Sequence, residues 1–228
     1  RDPEMSRGLG DVYKRQIADW SMGLLCPSDW KAQWIGNRED IFPDSTLTFP
    51  APYFRKEFVV AKPIKKAMAY VCGLGFYEMY FNGERVGEQV LAPAVTNYDR
   101  RSLKKLLYHY DDQSTQRVFY NVFDVTGNLK MQNNAIGIIL GNGWYNQRDR
   151  TVEGHMWYDV PKMILQLEIE YEDGTKEMIV SDNSWKTTTG PLLHDAIFTG
   201  EIYDARKDLG HWNRESYDDN IWESALQV

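Results

Sequence analysis

The sequence predicts an all-β protein, an antiparallel β-sandwich with little helix, and three observations carry that expectation. Runs of aromatic and β-branched residues of strand length recur along the chain, as in "YFRKEFVV", "RVFYNVFDVT" and "NAIGIILGNG". Turn dipeptides stand between such runs at Asn82-Gly83 and Asp173-Gly174, where both chains of a hairpin must reverse. Sustained apolar spacing of three and four residues, which would mark helices, is scarce, and no repeat period appears.

Taken in order, residues 1–16 read as a non-native tail: they lack apolar periodicity, and "GLGDVYKRQ" resembles a translated sequencing adapter. Residues 17–49 read as the end of a preceding β-domain and a linker. Trp20, Met22, Leu24 and Leu25 suggest its last strand, Pro27 and Ser28 a break, and "FPDSTLTFPAP" a crossing loop. Residues 50–228 then form the sandwich. In "YFRKEFVV", Phe54, Lys56 and Phe58 share one strand face, and Arg55 and Glu57 share the other. Asn82-Gly83 suits a type I′ hairpin, because both turn positions take positive φ. "CGLGFYE" joins two strands, which makes it a tight turn and not a phosphate loop. "RRSLKKLLYHY" carries Leu103, Leu106 and Leu107 at helical spacing but reads equally as a basic loop entering a strand, "TGNLKMQ" can supply one helical turn, and "MILQLEIEYEDGTKEMIVSD" is a second hairpin.

Composition removes several function classes. A net charge of -7, from 26 Lys and Arg against 33 Asp and Glu, lacks the basic footprint of a nucleic-acid binder. No run approaches the roughly 20 apolar residues of a membrane span, so no membrane partner is expected. Cys26 and Cys72 read as buried free thiols and not as a disulfide. His109, His155, His194 and His211 are scattered without metal-ligand spacing. Among carboxylates, Glu153, Glu201 and Asp204 are the best placed for acid and base work. Strand periodicity in "FTGEIYDARKDLG" nevertheless sets Asp204 beside Arg206 as a structural clamp.

The ordered series "DWKAQWIG", "YFRKEF", "GFYEMYFNGERVGEQVLAPAVTNYDRR", "FYNVFDVTGNLKMQNNAIGIILGNGWY", "DGTKEMIVSDNSWK" and "TGEIYDAR" resembles the N-terminal region of bacterial α-L-rhamnosidases from Asp29 to Trp222. "FDVTGNLKMQNNAIGIIL" alone also resembles the sugar-binding jelly roll at the front of β-galactosidases and β-glucuronidases, and "LGNGWY" with "GEIYDAR" tips the choice. The resemblance implies a jelly-roll, galactose-binding-like domain of a modular enzyme. Its inverting hydrolysis of terminal L-rhamnose belongs to an (α/α)6 barrel further along the same polypeptide, and this chain is expected to be a fragment cut at both ends. Two readings stand beside it: a free-standing carbohydrate-binding module, and a self-sufficient glycosidase. Whether the parent is secreted, periplasmic or cytoplasmic is left open.

The resemblance also directs attention to two loops, "APAVTNYDRR" and "GNGWYNQRDR". They offer Asn97, Asp99, Asn142, Asn146 and Asp149 as hydroxyl partners, and Tyr98, Trp144 and Tyr145 as rings for the apolar face of a rhamnose-containing glycan. Related domains hold rhamnose through calcium, which implies Asn97, Asp99 and Asn142 as oxygen ligands here. Trp144, directly after a buried strand, equally reads as a packing anchor. Asn82, Gly83, Asp204 and Arg206 are assigned structural roles.

Overall fold

In the computed structural model, residues 22–37, 49–96, 98, 118–147 and 156–228 are described. The tail at 1–16, most of the linker, the "RRSLKKLLYHY" segment, and Asn97, Asp99, Asp149 and Glu153 lie outside them. The chain divides into two compact units, Arg1–Trp30 and Lys31–Val228. In the first, Met22, Leu24 and Leu25 of the expected terminal strand have no regular structure, and a 3-10 turn over Pro27–Asp29 stands where the break was expected. The Asp29 carboxylate accepts from the backbone N–H groups of Leu25 and Cys26, each at 2.9 Å, which holds the segment in a turn.

The second unit carries β1 (Ile35–Gly36), β2 (Pro52–Val60), β3 (Ile64–Leu74), β4 (Phe76–Phe81), β5 (Glu84–Arg85), β6 (Asn121–Asp124), β7 (Gln132–Gly141) and β8 (Asn146–Gln147). It continues with β9 (Met156–Trp157), β10 (Lys162–Tyr171), β11 (Lys176–Val180), β12 (Lys186–Thr189), β13 (Leu192–Ala196), β14 (Gly200–Tyr203), β15 (Glu223–Ser224) and β16 (Leu226–Gln227). One antiparallel sheet has the order β16-β1-β10-β3-β6, with β11 also paired to β10; the other runs β15-β12-β2-β7-β4-β5. β13 with β14 and β8 with β9 form two separate small ribbons.

The expected domain boundary at residue 49 is displaced. Ile35 is fully buried in the core and pairs with Met163 on one side and Gln227 on the other, so β1 is an integral strand of the sandwich. Two residues are too short for a period to show.

The core follows the period of two. Phe54 and Phe58 of β2, Met79 and Phe81 of β4, and Ile136 and Ile138 of β7 face inward from one sheet. They meet Ala67, Ala69 and Val71 of β3 and Leu165, Leu167 and Ile169 of β10 from the other. Trp185 completes this cluster, with its Nε1–H donated to the Val180 carbonyl at 2.8 Å. The two sheets are joined at one corner between β3 and β4, consecutive strands that belong to opposite sheets. Gly75 turns that corner at φ +108°, and a Cβ there would lie 2.1 Å from the Gly141 carbonyl oxygen.

Both hairpin signals form turns, of different kinds. Asn82 and Gly83 take φ of 52° and 89°, as a two-residue loop between β4 and β5 requires. The Asp173-Gly174 loop has three residues: Gly174 N–H donates to the Tyr171 carbonyl, Tyr171 N–H donates to the Thr175 carbonyl, both at 2.9 Å, and Gly174 alone is left-handed at φ 81°. A Cβ at Gly174 would meet nothing, so Gly174→Ala is expected to cost only the φ penalty, about 1 kcal/mol, measured by chemical unfolding.

The outward face of β2 and β7 is not solvated. Trp212 and Trp222 stack on each other at 6.2 Å and Trp212 lies edge-on to Tyr53 and Tyr80, so the segment after β14 straps the sheet. Beneath it Arg55, on the strand face opposite Phe54 and Phe58, is 1% exposed. Its Nε donates to the Trp212 carbonyl at 2.9 Å and its Nη2 to the Arg214 carbonyl at 3.0 Å, with Glu57 and Asp219 as ion-pair partners. The thiols are both free, but only Cys72 is buried, with its pKa pushed up to about 12 by desolvation; Cys26 is exposed, contrary to expectation.

Candidate functional site

The corner glycine sets the geometry of one end of the sandwich. A Cβ on Gly143 would approach Gly75 and the Phe76 ring at 3.0 Å, so the turn after β7 is packed against the β3–β4 corner. That turn, Gly143 to Tyr145, closes with Asn146 N–H donated to the Asn142 carbonyl at 3.0 Å. Ala92 is fixed to the start of β4 by an isolated bridge to Tyr77, whose N–H donates to the Ala92 carbonyl at 3.0 Å.

These restraints bring the two predicted loops together. Tyr98 lies edge-on to Tyr145 at 5.2 Å and to Tyr158 at 5.5 Å, and Tyr145 stacks on Tyr158 at 5.9 Å. Gln147, next along β8, is 1% exposed, and among the described residues neither of its amide atoms has a hydrogen-bond partner. A buried, unsatisfied amide costs about 1–3 kcal/mol, which makes Gln147 an unusual residue for a purely structural turn.

Beside this end, on the outward face of β2, β4 and β7, runs a groove of roughly 450 Å³. Tyr53, Phe76 and Tyr203 contribute rings, and Glu78, Asp195 and Glu201 contribute carboxylates. Asp195 is the anchor between groove and turn. Its Oδ1 accepts from the Asn142 N–H at 2.6 Å, and its Oδ2 and carbonyl oxygen accept from the Asn142 amide at 2.9 and 3.0 Å.

Burial raises the Asp195 pKa above the usual carboxylate range, and the neighbouring Glu201 charge adds to the rise against the lowering effect of Asn142 and His194. Glu201 is the cross-strand register partner of Asp195, a like-charge pairing that disfavours the hairpin. The sign follows from linkage: a carboxyl with a raised folded pKa contributes stability that is full below its unfolded pKa and lost as pH rises through the folded value. Glu201→Gln is therefore expected to lower the Asp195 pKa and to raise stability at pH 7 by about 0.2–1 kcal/mol, read by NMR titration and urea unfolding.

The comparisons fit this architecture. The family model described as the alpha-L-rhamnosidase N-terminal domain matches residues 62–111 and 110–228. The chain belongs to the α-L-rhamnosidase N-terminal domain family. It is 35% identical over 241 residues to an α-L-rhamnosidase of Formosa agariphila, a match over 93% of this chain and 24% of the relative. The α-L-rhamnosidase structure from Dictyoglumus thermophilum is 43% identical with a TM-score of 0.73, over 90% of this chain and 22% of that one. The Streptomyces avermitilis α-L-rhamnosidase complexed with L-rhamnose is 33% identical with a TM-score of 0.68, over 78% and 16%. The chain thus spans about a quarter or less of the length of these relatives.

Within this family domain, the predicted residues separate by role. Tyr98 and Tyr145 meet, as described. Asn142 spends its amide N–H on Asp195 and its Oδ1 on the Asn146 amide at 2.6 Å, so Asn142 ties the turn to β13 and Asn146 closes the turn on itself. Trp144 is half-buried and lies edge-on to Phe198 of the β13–β14 loop at 5.8 Å, a packing contact. Among the described residues no three His, Cys, Asp or Glu side chains gather as a metal site.

Asn82 is structural: its Nδ2 donates to the Asn128 carbonyl and the Asn134 Oδ1, and its Oδ1 accepts from Ala135 N–H, each at 2.9 Å. Asp204 and Arg206 form a two-point ion pair at 2.8 and 2.9 Å. They do so across a 3-10 turn at Ala205–Lys207 that Asp204 caps, because β14 has already ended at Tyr203; the strand periodicity expected here does not reach them. Sequence reasoning missed Gln147, Tyr158, Tyr53 and Asp195. Only Asp195 left a trace, standing across "AIFTG" from Glu201 in a short hairpin pattern.

Proposed function

We propose that this chain is the noncatalytic N-terminal module of an α-L-rhamnosidase, and that it holds L-rhamnosyl units of a glycan or plant glycoside at the end where Tyr98, Tyr145 and Tyr158 meet. The observation that carries the reading is the convergence of the two loops on one tyrosine cluster beside the unsatisfied Gln147 amide. Tyrosine rings suit the apolar face of a deoxysugar, and a buried amide without a partner supplies one donor and one acceptor for hydroxyls. The catalytic carboxylates belong, in this reading, to a downstream domain of the same polypeptide. The ion pairing of Asp204 with Arg206 supports that assignment, because it ties up one of the carboxylates that acid–base work would need. Ile221, 91% exposed, offers apolar surface to such a neighbour.

Calorimetry with L-rhamnose tests the binding reading. Tyr158→Ala is expected to weaken binding about 3- to 10-fold with an unchanged fold, the share of a single ring contact. Repeating the titration in a calcium chelator tests the calcium expectation at the same time, since an all-oxygen site loses affinity when the ion is removed. The chain alone is expected to release no nitrophenol from 4-nitrophenyl α-L-rhamnoside; measurable turnover abolished by Glu201→Gln would instead favour the self-sufficient glycosidase.

A further inference from the structure

We propose that the groove on the outward face of β2, β4 and β7 is a second saccharide site, built for a neutral sugar unit. Tyr53 and Tyr203 supply its rings, and Glu78, Asp195 and Glu201 its hydroxyl acceptors. It is separate from the tyrosine cluster and stands whether or not that cluster binds rhamnose.

The groove's volume of roughly 450 Å³ falls in the range of about 300–1,000 Å³ typical of small-molecule sites. Tyr53 is 4% exposed and lines the groove. Its ring packs edge-on to Trp212 and its carbonyl oxygen accepts from the Thr187 hydroxyl, while its own hydroxyl has no hydrogen-bond partner among the described residues. The hydroxyl oxygen is not itself fully buried, so it stays open to a ligand in the groove that Tyr53 lines. The ionisable groups that act on it are Tyr203, Asp208, Glu78 and Glu201, so it faces the acidic side of the groove.

A second observation is independent of the first. The fold keeps Asp195 directly opposite Glu201 in a ribbon of two short strands, although like charges at paired positions weaken a hairpin. Sugar hydroxyls donated to those carboxylates form charge-assisted hydrogen bonds, the strong class, and would relieve that pairing when the groove is filled.

The charge also selects the ligand. Among the described residues that line the groove, three are acidic and none is Lys, Arg or His; Arg85 pairs with Glu78 at 3.3 Å. Uronic acids and sulfated sugars would bring a like charge into a partly desolvated space, so neutral sugars are favoured. Val90 and Leu91 at the mouth are exposed and give the carbon face of the sugar an apolar edge.

The test is an amide-resonance NMR titration of the whole chain with L-rhamnose, lactose and digalacturonate as probes. A neutral sugar is expected to shift Ile139, Gly141, Leu192 and Glu201, with digalacturonate at least about tenfold weaker. Tyr203→Ala and Glu201→Gln should each weaken the groove response about 3- to 10-fold while leaving the fold intact, and Tyr158→Ala should leave it unchanged. Shifts confined to Tyr98, Tyr145 and Tyr158 would overturn the second site while keeping the loop-end reading. Groove shifts that appear without sugar and grow with protein concentration, alongside dimer in sedimentation, would overturn it in favour of a protein interface.

Discussion

Arg55→Met is expected to lower the stability of the sandwich by about 3 kcal/mol and its melting temperature by roughly 6–12 °C. The arginine is buried under the strap after β14, and one guanidinium holds two strap carbonyls, those of Trp212 and Arg214, as well as the carboxylates of Glu57 and Asp219. Its plane also lies over the Tyr217 ring at 5.3 Å. Removing it leaves the buried Trp212 carbonyl and the part-buried Arg214 carbonyl without this donor, which sets the larger part of the loss. The carboxylates left behind are 40% and 27% exposed and can turn to water, which keeps the loss at the lower end of the range for a broken buried pair. Arg55→Lys should recover little, because an ammonium cannot reach four acceptors in the guanidinium fork. Guanidinium unfolding followed by tryptophan fluorescence reads the effect, since Trp212 and Trp222 sit in the strap. An unchanged midpoint would mean that the aromatic stack alone holds the strap.

Gly75→Ala is expected to cost roughly 2–6 kcal/mol, the combined order of a strained positive φ and a steric clash in a packed corner. Gly75 sits at φ +108°, and its new Cβ would lie 2.1 Å from the Gly141 oxygen and 3.0 Å from that of Asn142. Backbone, and not a flexible side-chain end, is what must yield. The turn after β7 is packed on this corner, so the variant should also lose L-rhamnose binding at the tyrosine cluster. Gly174→Ala is the control: it carries the same kind of φ in open space and should keep binding intact. Equal melting curves for Gly75→Ala and Gly174→Ala would show that the corner can relax.

Much of the fold was legible in the chain because it rests on period and turn chemistry. Phe54 with Phe58, Ile136 with Ile138, and the positive φ of Asn82 and Gly83 all follow from residues within a few positions of one another. The family was legible for a related reason, since several short motifs occur in one order. β1 was not legible: Ile35 pairs with residues far along the chain, and its short strand shows no alternation. The loop-end cluster was half legible, with Tyr98 and Tyr145 named and Tyr158 and Gln147 missed, because nothing local marks a residue whose partners arrive from another loop.

The sequence by itself determined the sandwich class, the inward faces of the long strands and the family to which they belong. Tertiary structure decided what covers those strands. Period two says that Arg55 points away from the core, and only the strap that arrives from residues 212–222 makes that outward face an interior. The same holds for Tyr53, Asp195 and Glu201, which share one groove because a turn, a corner glycine and a separate hairpin meet there. Alternation fixes the direction of a side chain, whereas burial, pKa and partnership depend on which distant segment closes over it.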